Sequence, residues 1–363
     1  MGTVWVAHNR VLDVDVGIKL IELHGDEGAD LAQRLLDEAR AAARLGHEGI
    51  VRVTDFGVTR LGDPFLAMEL LEGEDLADLL AREGWLQGRF AVRLLLPIVG
   101  ALAAAHDKGI VHRDVKPENI FLAKEGADVK PKLLDFGIAR TLYGVPRTTS
   151  EGVVMGTPDY MSPEQARGEE TDASSDVWST CVVLYELVAG ACPFSGANPL
   201  ELLRAIAGNE PVSFEQRAID EPDLYRIIER GLQKQSKERW NGMRALGEVL
   251  ALYLTERGVA EDVSGTSLRY VWLSGLMPPL AHPANEAMGG GEARSATTAA
   301  EAPPPAPSGP DLEALAAVNA GGDPVEQLER AERRRTAAWI VAVALLVAAS
   351  TLGILIGTGI VVF

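Results

Sequence analysis

Nine consecutive residues, His112-Arg113-Asp114-Val115-Lys116-Pro117-Glu118-Asn119-Ile120, hold a carboxylate, a lysine and a carboxamide at fixed offsets. An apolar Ile-Phe-Leu run (120–122) follows, then a polar turn, then Lys132-Leu133-Leu134-Asp135-Phe136-Gly137. The pattern reads as two short strands, each preceded by a loop, with an Asp-Phe-Gly after the second. That geometry aims Asp114, Lys116, Asn119 and Asp135 at one point. A base, a positive charge and two oxygen ligands for a hard cation are the parts that moving a phosphoryl group requires. Taken singly, each is an ordinary polar loop residue; the set at these spacings carries the reading.

The elements that must position them follow from hydrophobic patterning. Val4-Trp5-Val6 and Val14 to Leu23 alternate as strands. A helix is expected over roughly 28–45, where Leu31, Leu35, Ala42 and Leu45 form one stripe at helical spacing and Glu38 falls on the same stripe. A carboxylate on a core-facing stripe needs a partner. Val51 to Gly57 and Phe65 to Glu69 read as a hairpin around Leu61-Gly62-Asp63-Pro64. After about residue 75 the chain turns helical, at 75–82, 89–108, 174–190 and 222–233. A second Asp-Phe-Gly, at 55–57, precedes that hairpin without a catalytic loop upstream, and reads as a strand-end or turn.

The stretches 112–120 and 132–137 resemble the catalytic loop and metal-binding motif of eukaryotic-like protein kinases, and a lysine two residues after the Asp resembles their serine/threonine branch. The resemblance implies an α+β, two-lobed fold, with a β-rich N-lobe (1–70) and an α-helical C-lobe (71–255). Val16-Gly17-Ile18-Lys19 resembles the strand whose lysine holds the α and β phosphates of ATP, and an ion pair between Lys19 and Glu38 is implied. Asp114 would be the base, Lys116 would neutralise the transferring phosphate, and Asn119 and Asp135 would hold Mg2+. Glu69 and Leu71 would offer backbone groups to adenine, with Met68 as gatekeeper. Gly156 to Glu164 resembles the end of an activation loop, in which Thr157 would bridge Asp114 and Lys116 and a buried Glu164 would pair with Arg239. Asp176 would hold the catalytic-loop backbone. Arg113 would meet a phosphate placed on Thr148, Thr149 or Ser150.

Composition sets further bounds. The chain has 363 residues, 47% apolar content and a formal net charge of −18. That acidity argues against nucleic-acid binding, which needs a positive surface. Cys181 and Cys192, the two cysteines, lack metal-ligand spacing and read as buried, reduced thiols. Residues 256–335 read as a disordered juxtamembrane linker, with Gly289-Gly290-Gly291 and an Ala/Pro run from 299 to 310. Residues 337–363 are 27 uncharged residues, long enough to span a bilayer. Arg330 and Arg333 to Arg335 abut this run, so residues 1–335 are expected in the cytoplasm and the C-terminus at the outer face of the cell membrane. Gly353 and Gly357 form a Gly-x-x-x-Gly pair that could pack two such helices into a homodimer.

Of the family's Gly-rich phosphate loop, only the last glycine and the valine find counterparts, Gly2 and Val4, which would touch the nucleotide. The favoured expectation is a start placed too late. The overall reading is a membrane-anchored, Mg-dependent serine/threonine protein kinase that uses ATP on protein substrates in signalling. Two alternatives stand beside it. One is a kinase-fold scaffold (a pseudokinase), motivated by the incomplete glycine loop. The other is a small-molecule phosphotransferase, against which Lys116 and the complete 135–164 segment argue.

Overall fold

The computed structural model describes residues 3–21, 45–60, 63–126, 128–135 and 158–274. The expected helix at 28–45 with Glu38, the residues Gly2 and Thr157, the loop with Thr148 to Ser150, the linker from 275 on and the 337–363 span lie outside these residues.

The first lobe is an antiparallel sheet in the order β1-β2-β4-β3. Its strands are β1 (Thr3–Asn9), β2 (Val14–Leu20), β3 (Val53–Val58) and β4 (Pro64–Glu69). Register matters here, because residues two apart in a strand share a face. Val4 lies opposite Lys19, Val6 opposite Gly17, and Gly17 opposite Met68. Val4, Val6, Gly17, Lys19 and Met68 therefore occupy one face, while Val16 is buried on the other. Gly17 packs closely on Met68, since a Cβ there would sit 3.2 Å from Met68 Cγ. The Asp55-Phe56-Gly57 triplet lies inside β3 beside a register shift, with the Asp55 carboxylate accepting the Phe56 amide.

The second lobe opens with β5 (Gly73–Asp75), α1 (Leu76–Glu83) and α2 (Gly88–His106). Asp75 caps α1 by accepting the Asp78 amide at 2.8 Å, which satisfies one of the orphan donors of the first turn. Among the described residues, α2 is the one helix long and apolar enough to cross a membrane, but its apolar side chains are buried in this lobe. The strands β6 (Ile120–Glu125) and β7 (Asp128–Leu133) pair with β5 in the order β5-β6-β7. The helices α3 (Pro163–Arg167), α4 (Ala173–Ala189), α5 (Pro199–Gly208), α6 (Pro222–Gly231) and α7 (Gly242–Thr255) complete the body.

The central helix α4 is buried nearly all round, with Ser175, Asp176, Ser179 and Thr180 buried among its apolar residues. Cys181 sits on it, fully buried, with its thiol pushed up to about 12 by burial. Its Sγ occupies the space that a side chain at Gly231 would need, with a Cβ there only 2.2 Å away. Cys192 is half-buried rather than buried, and both thiols are free.

Packed structure continues through a short helix α8 (Leu268–Val271) to residue 274. Leu268, Trp272 and Leu273 are buried, and a Cβ at Gly247 would fall 2.0 Å from the Trp272 ring. The Trp272 indole thus fills a slot that a glycine in α7 leaves open. The polar composition of 256–267 hid the three apolar anchors that follow.

Candidate active site

The loop between α2 and β6 is fixed by Asp176, which is fully buried at the start of α4. Its Oδ1 accepts the Arg113 amide at 2.7 Å, and its Oδ2 accepts the His112 amide at 2.8 Å. His106 Nε2 lies 2.7 Å from the same Oδ2. Arg113 has φ of 64°, a left-handed conformation that costs a bulky residue on the order of 1–3 kcal/mol. The Asp176 carboxylate holds the loop in that shape. Asp176→Asn offers a single acceptor oxygen to these groups and turns an N–H toward a donor. It is expected to cost about 1–3 kcal/mol and to lower turnover, read by thermal melting and steady-state rates of one preparation.

His112 ties the loop to the strand that follows. Its Nε2 lies 2.8 Å from the Leu134 carbonyl, and its Nδ1 lies 3.3 Å from the Asp114 amide. A carbonyl only accepts and an amide only donates, so these two bonds set the tautomer with hydrogen on Nε2. The Leu134 amide returns a bond to the Asn119 carbonyl at 2.8 Å. Asp135 follows directly, at φ of 47°, again left-handed for a non-glycine residue.

The structure brings Asp114, Lys116 and Asn119 together as the sequence spacing predicts. Lys116 Nζ lies 3.2 Å from Asp114 Oδ2. Asn119 Nδ2 donates to the Asp114 carbonyl at 2.7 Å and to Asp114 Oδ2 at 3.0 Å. The carboxamide nitrogen is thereby used, which leaves its oxygen as the group able to meet a cation. Across the cleft, Lys19 Nζ lies 2.5 Å from Asp135 Oδ2. This pair joins the small lobe to the end of β7. The other partner expected for Lys19, Glu38, is outside the described residues.

Among the described residues no three His, Cys, Asp or Glu side chains cluster as a protein-only metal cage. One carboxylate, Asp135, and one carboxamide oxygen, Asn119, fit Mg2+ instead, which takes few protein ligands and completes its shell with phosphate and water.

The hinge differs in detail from expectation. The Glu69 amide already donates to the Arg52 carbonyl at 3.0 Å, so of its backbone groups that one is committed to β3. Its side chain is also engaged, accepting the Arg52 amide at 2.9 Å and Lys132 Nζ at 3.0 Å. Leu71 has neither backbone group bonded among the described residues, which fits an adenine contact. The Glu69–Lys132 pair was missed because nothing local marks a strand lysine as reaching a hinge 63 residues away.

Behind the cleft, Arg239 grips Glu164 through both oxygens, at 2.8 and 2.7 Å, and Ser175 Oγ donates to the same carboxylate at 2.6 Å. Burial alone would raise the Glu164 carboxyl, but the bonds from Arg239 and Ser175 hold it at about 2. Tyr160 donates to Glu186 Oε2 at 2.7 Å. Burial and then the charges of Asp159 and Glu118 raise the Glu186 carboxyl, against hydrogen bonds from Tyr160 and Cys192.

A lysine and an aspartate paired between the small sheet and the helical lobe, with a carboxylate, a lysine and a carboxamide gathered in the loop before β6, are the parts that phosphoryl transfer needs. The protein kinase domain model matches residues 1–250, and the chain belongs to that family. It is 38% identical over 262 residues to the serine/threonine-protein kinase pkn2 of Myxococcus xanthus, covering 69% of this chain and 31% of that protein. It is 45% identical over 193 residues to the serine/threonine-protein kinase PknL of Mycobacterium tuberculosis, covering 53% of this chain and 47% of that protein. Among solved structures, Rad53 1-466 in complex with AMP-PNP matches with a TM-score of 0.56 at 26% identity, over 68% of this chain and 60% of that one. The chain thus spans half or less of the length of these two bacterial relatives.

Proposed function

We propose that this protein is a serine/threonine protein kinase that transfers the γ-phosphate of ATP to hydroxyl groups of protein substrates. The observation that carries the reading is the convergence of Asp114, Lys116 and Asn119 opposite the Lys19–Asp135 pair. In this reading Asp114 Oδ2 orients the acceptor hydroxyl and takes its proton. Lys116, at 3.2 Å from that oxygen, sets positive charge beside the transferring group. Lys19 holds the α and β phosphates, with Gly2 and Val4 covering them; the register puts Val4 on the same face as Lys19. Asn119 and Asp135 would hold Mg2+, which would supply positive charge against the negative charge that develops on the transferring phosphate. Leu71 and the Glu69 carbonyl meet adenine, Glu38 steadies Lys19, and Thr157 bridges Asp114 and Lys116. The AMP-PNP of the Rad53 complex supports a nucleotide in this cleft. Phosphoamino-acid analysis of labelled product tests the class of acceptor. Phosphoserine or phosphothreonine is expected, and label confined to phosphotyrosine would overturn it.

The same reading extends to regulation and place. Autophosphorylation at Thr148, Thr149 or Ser150 orders the loop against Arg113. A triple alanine variant at these positions is then expected to lose activation by preincubation with ATP, and unchanged activity would remove the idea. Residues 337–363 anchor the chain in the cell membrane as a single span, with the kinase domain on the cytoplasmic side. The Gly353/Gly357 pair joins two copies. The full chain is expected to stay with membranes through alkaline carbonate washing, and release into the wash would contradict an anchor.

A further inference from the structure

Residues 260–273 make a set of contacts that the catalytic reading does not use. Arg93 in α2 donates to the Glu261 carbonyl at 3.1 Å and to the Asp262 carbonyl at 3.2 Å, and the Val263 amide returns a bond to the Arg93 carbonyl. Asp262 is buried, and its carboxylate accepts the Ser264 and Thr266 amides at 2.8 and 3.0 Å. These bonds turn the chain so that the Ser264 carbonyl points at Lys130 Nζ, 3.0 Å away. The Trp272 ring then locks the end of the segment against Gly247 in α7 and Gly100 in α2.

Lys130 lies in β7, and β7 is where the site's supports meet. Two residues on, Lys132 reaches the hinge carboxylate of Glu69. The next residue, Leu133, donates to the Gly49 carbonyl and accepts the Val51 amide, joining the strand to the N-lobe. Leu134 is bonded to Asn119 and His112, and Asp135 ends the run. A side chain that fixes β7 from its outer end therefore bears on the placement of all four. The segment lies beyond the 1–250 match.

We propose that residues 260–273 form a clasp on β7, with Lys130 as a positioning residue for Asp135. The role assigned to Asp135 rests on the phosphotransfer reading; the clasp itself does not. The test uses the full chain and its Lys130→Met, Lys130→Arg and Trp272→Ala variants. Amide exchange at Leu133 and Leu134 is expected to be about tenfold faster in Lys130→Met, the order set by losing one hydrogen bond from a charged donor. Lys130→Arg should keep it slow, and Trp272→Ala should speed it in the same direction. In the kinetic arm, the KM for ATP should rise severalfold in Lys130→Met with kcat at saturation and the KM for the protein acceptor kept. Exchange at Leu133 and Leu134 unchanged in both Lys130→Met and Trp272→Ala would overturn the clasp, as would a uniform rise that includes the core of α4. If the wild-type chain transfers no phosphate, the exchange arm still decides the clasp, and the failure then falls on the catalytic reading alone.

Discussion

Arg239→Met is expected to destabilise the kinase domain by about 3–5 kcal/mol, because it leaves the buried Glu164 carboxylate without its bidentate partner. The loss is larger than that of a surface pair, worth about 0–1 kcal/mol, since the Arg239 side chain is fully buried. Arg239 also donates to the Gln233 and Ser174 carbonyls and lies over the Trp178 ring, so its removal leaves further acceptors unmet. For a domain of this size, the melting temperature should fall by roughly 10 °C. Replacing both partners with apolar residues should recover part of that, since the remaining cost comes from the uncompensated charge. The pH dependence has a definite sign. Glu164 titrates at about 2 in the fold against an ordinary 4.5, so the unfolded chain binds its proton first. The contribution is present above pH 4.5, is lost as pH falls through 4.5 toward 2, and amounts to about 3 kcal/mol by linkage. Arg239→Met should flatten the stability-versus-pH curve in that window. Equal slopes in the two proteins would contradict the assignment.

Asp114→Asn should lower kcat by about 10²–10⁴, the range for a lost general base, with the KM for ATP changed by less than about threefold. Asparagine keeps a hydrogen-bonding side chain beside Asn119 and Lys116 but cannot take the acceptor's proton, so the loop keeps its form while the chemistry stops. Lys116→Met removes the charge 3.2 Å away and should cost about 10²–10³ in kcat, as for a lost donor to developing charge. Steady-state rates over a range of ATP concentrations separate the two quantities. A rise in KM for ATP with kcat kept would move Asp114 from the reaction to nucleotide binding.

The catalytic loop was legible because its chemistry is local. Asp114, Lys116 and Asn119 lie within six residues, and a short loop before a strand leaves them little freedom. The lobes were legible for the same reason, since the strand read from Val14 to Leu23 and the helix read at 174–190 each fall on one element, Val14–Leu20 and Ala173–Ala189. The Glu164–Arg239 and Asp176 contacts came from the family resemblance, because a separation such as the 75 residues between Glu164 and Arg239 leaves no periodic trace. What could not be read was side-chain reach between distant elements. Lys132 to Glu69, Lys130 to Ser264, and His106 to Asp176 each join residues far apart in the chain that no local pattern links. The packing of residues 268–273 was not legible for a related reason. Trp272 is anchored by the absence of a side chain at Gly247, and a missing side chain carries no hydrophobic signal.

The most direct test of the central claim is transfer of labelled γ-phosphate from ATP to a basic protein acceptor, with the full chain and Asp114→Asn prepared in parallel. The account predicts label on acceptor serine or threonine that requires Mg2+, disappears with a chelator and falls by at least about a hundredfold in the variant. Transfer that is equal in the two proteins, or absent from the wild-type chain with Mg2+ and ATP supplied, would contradict it.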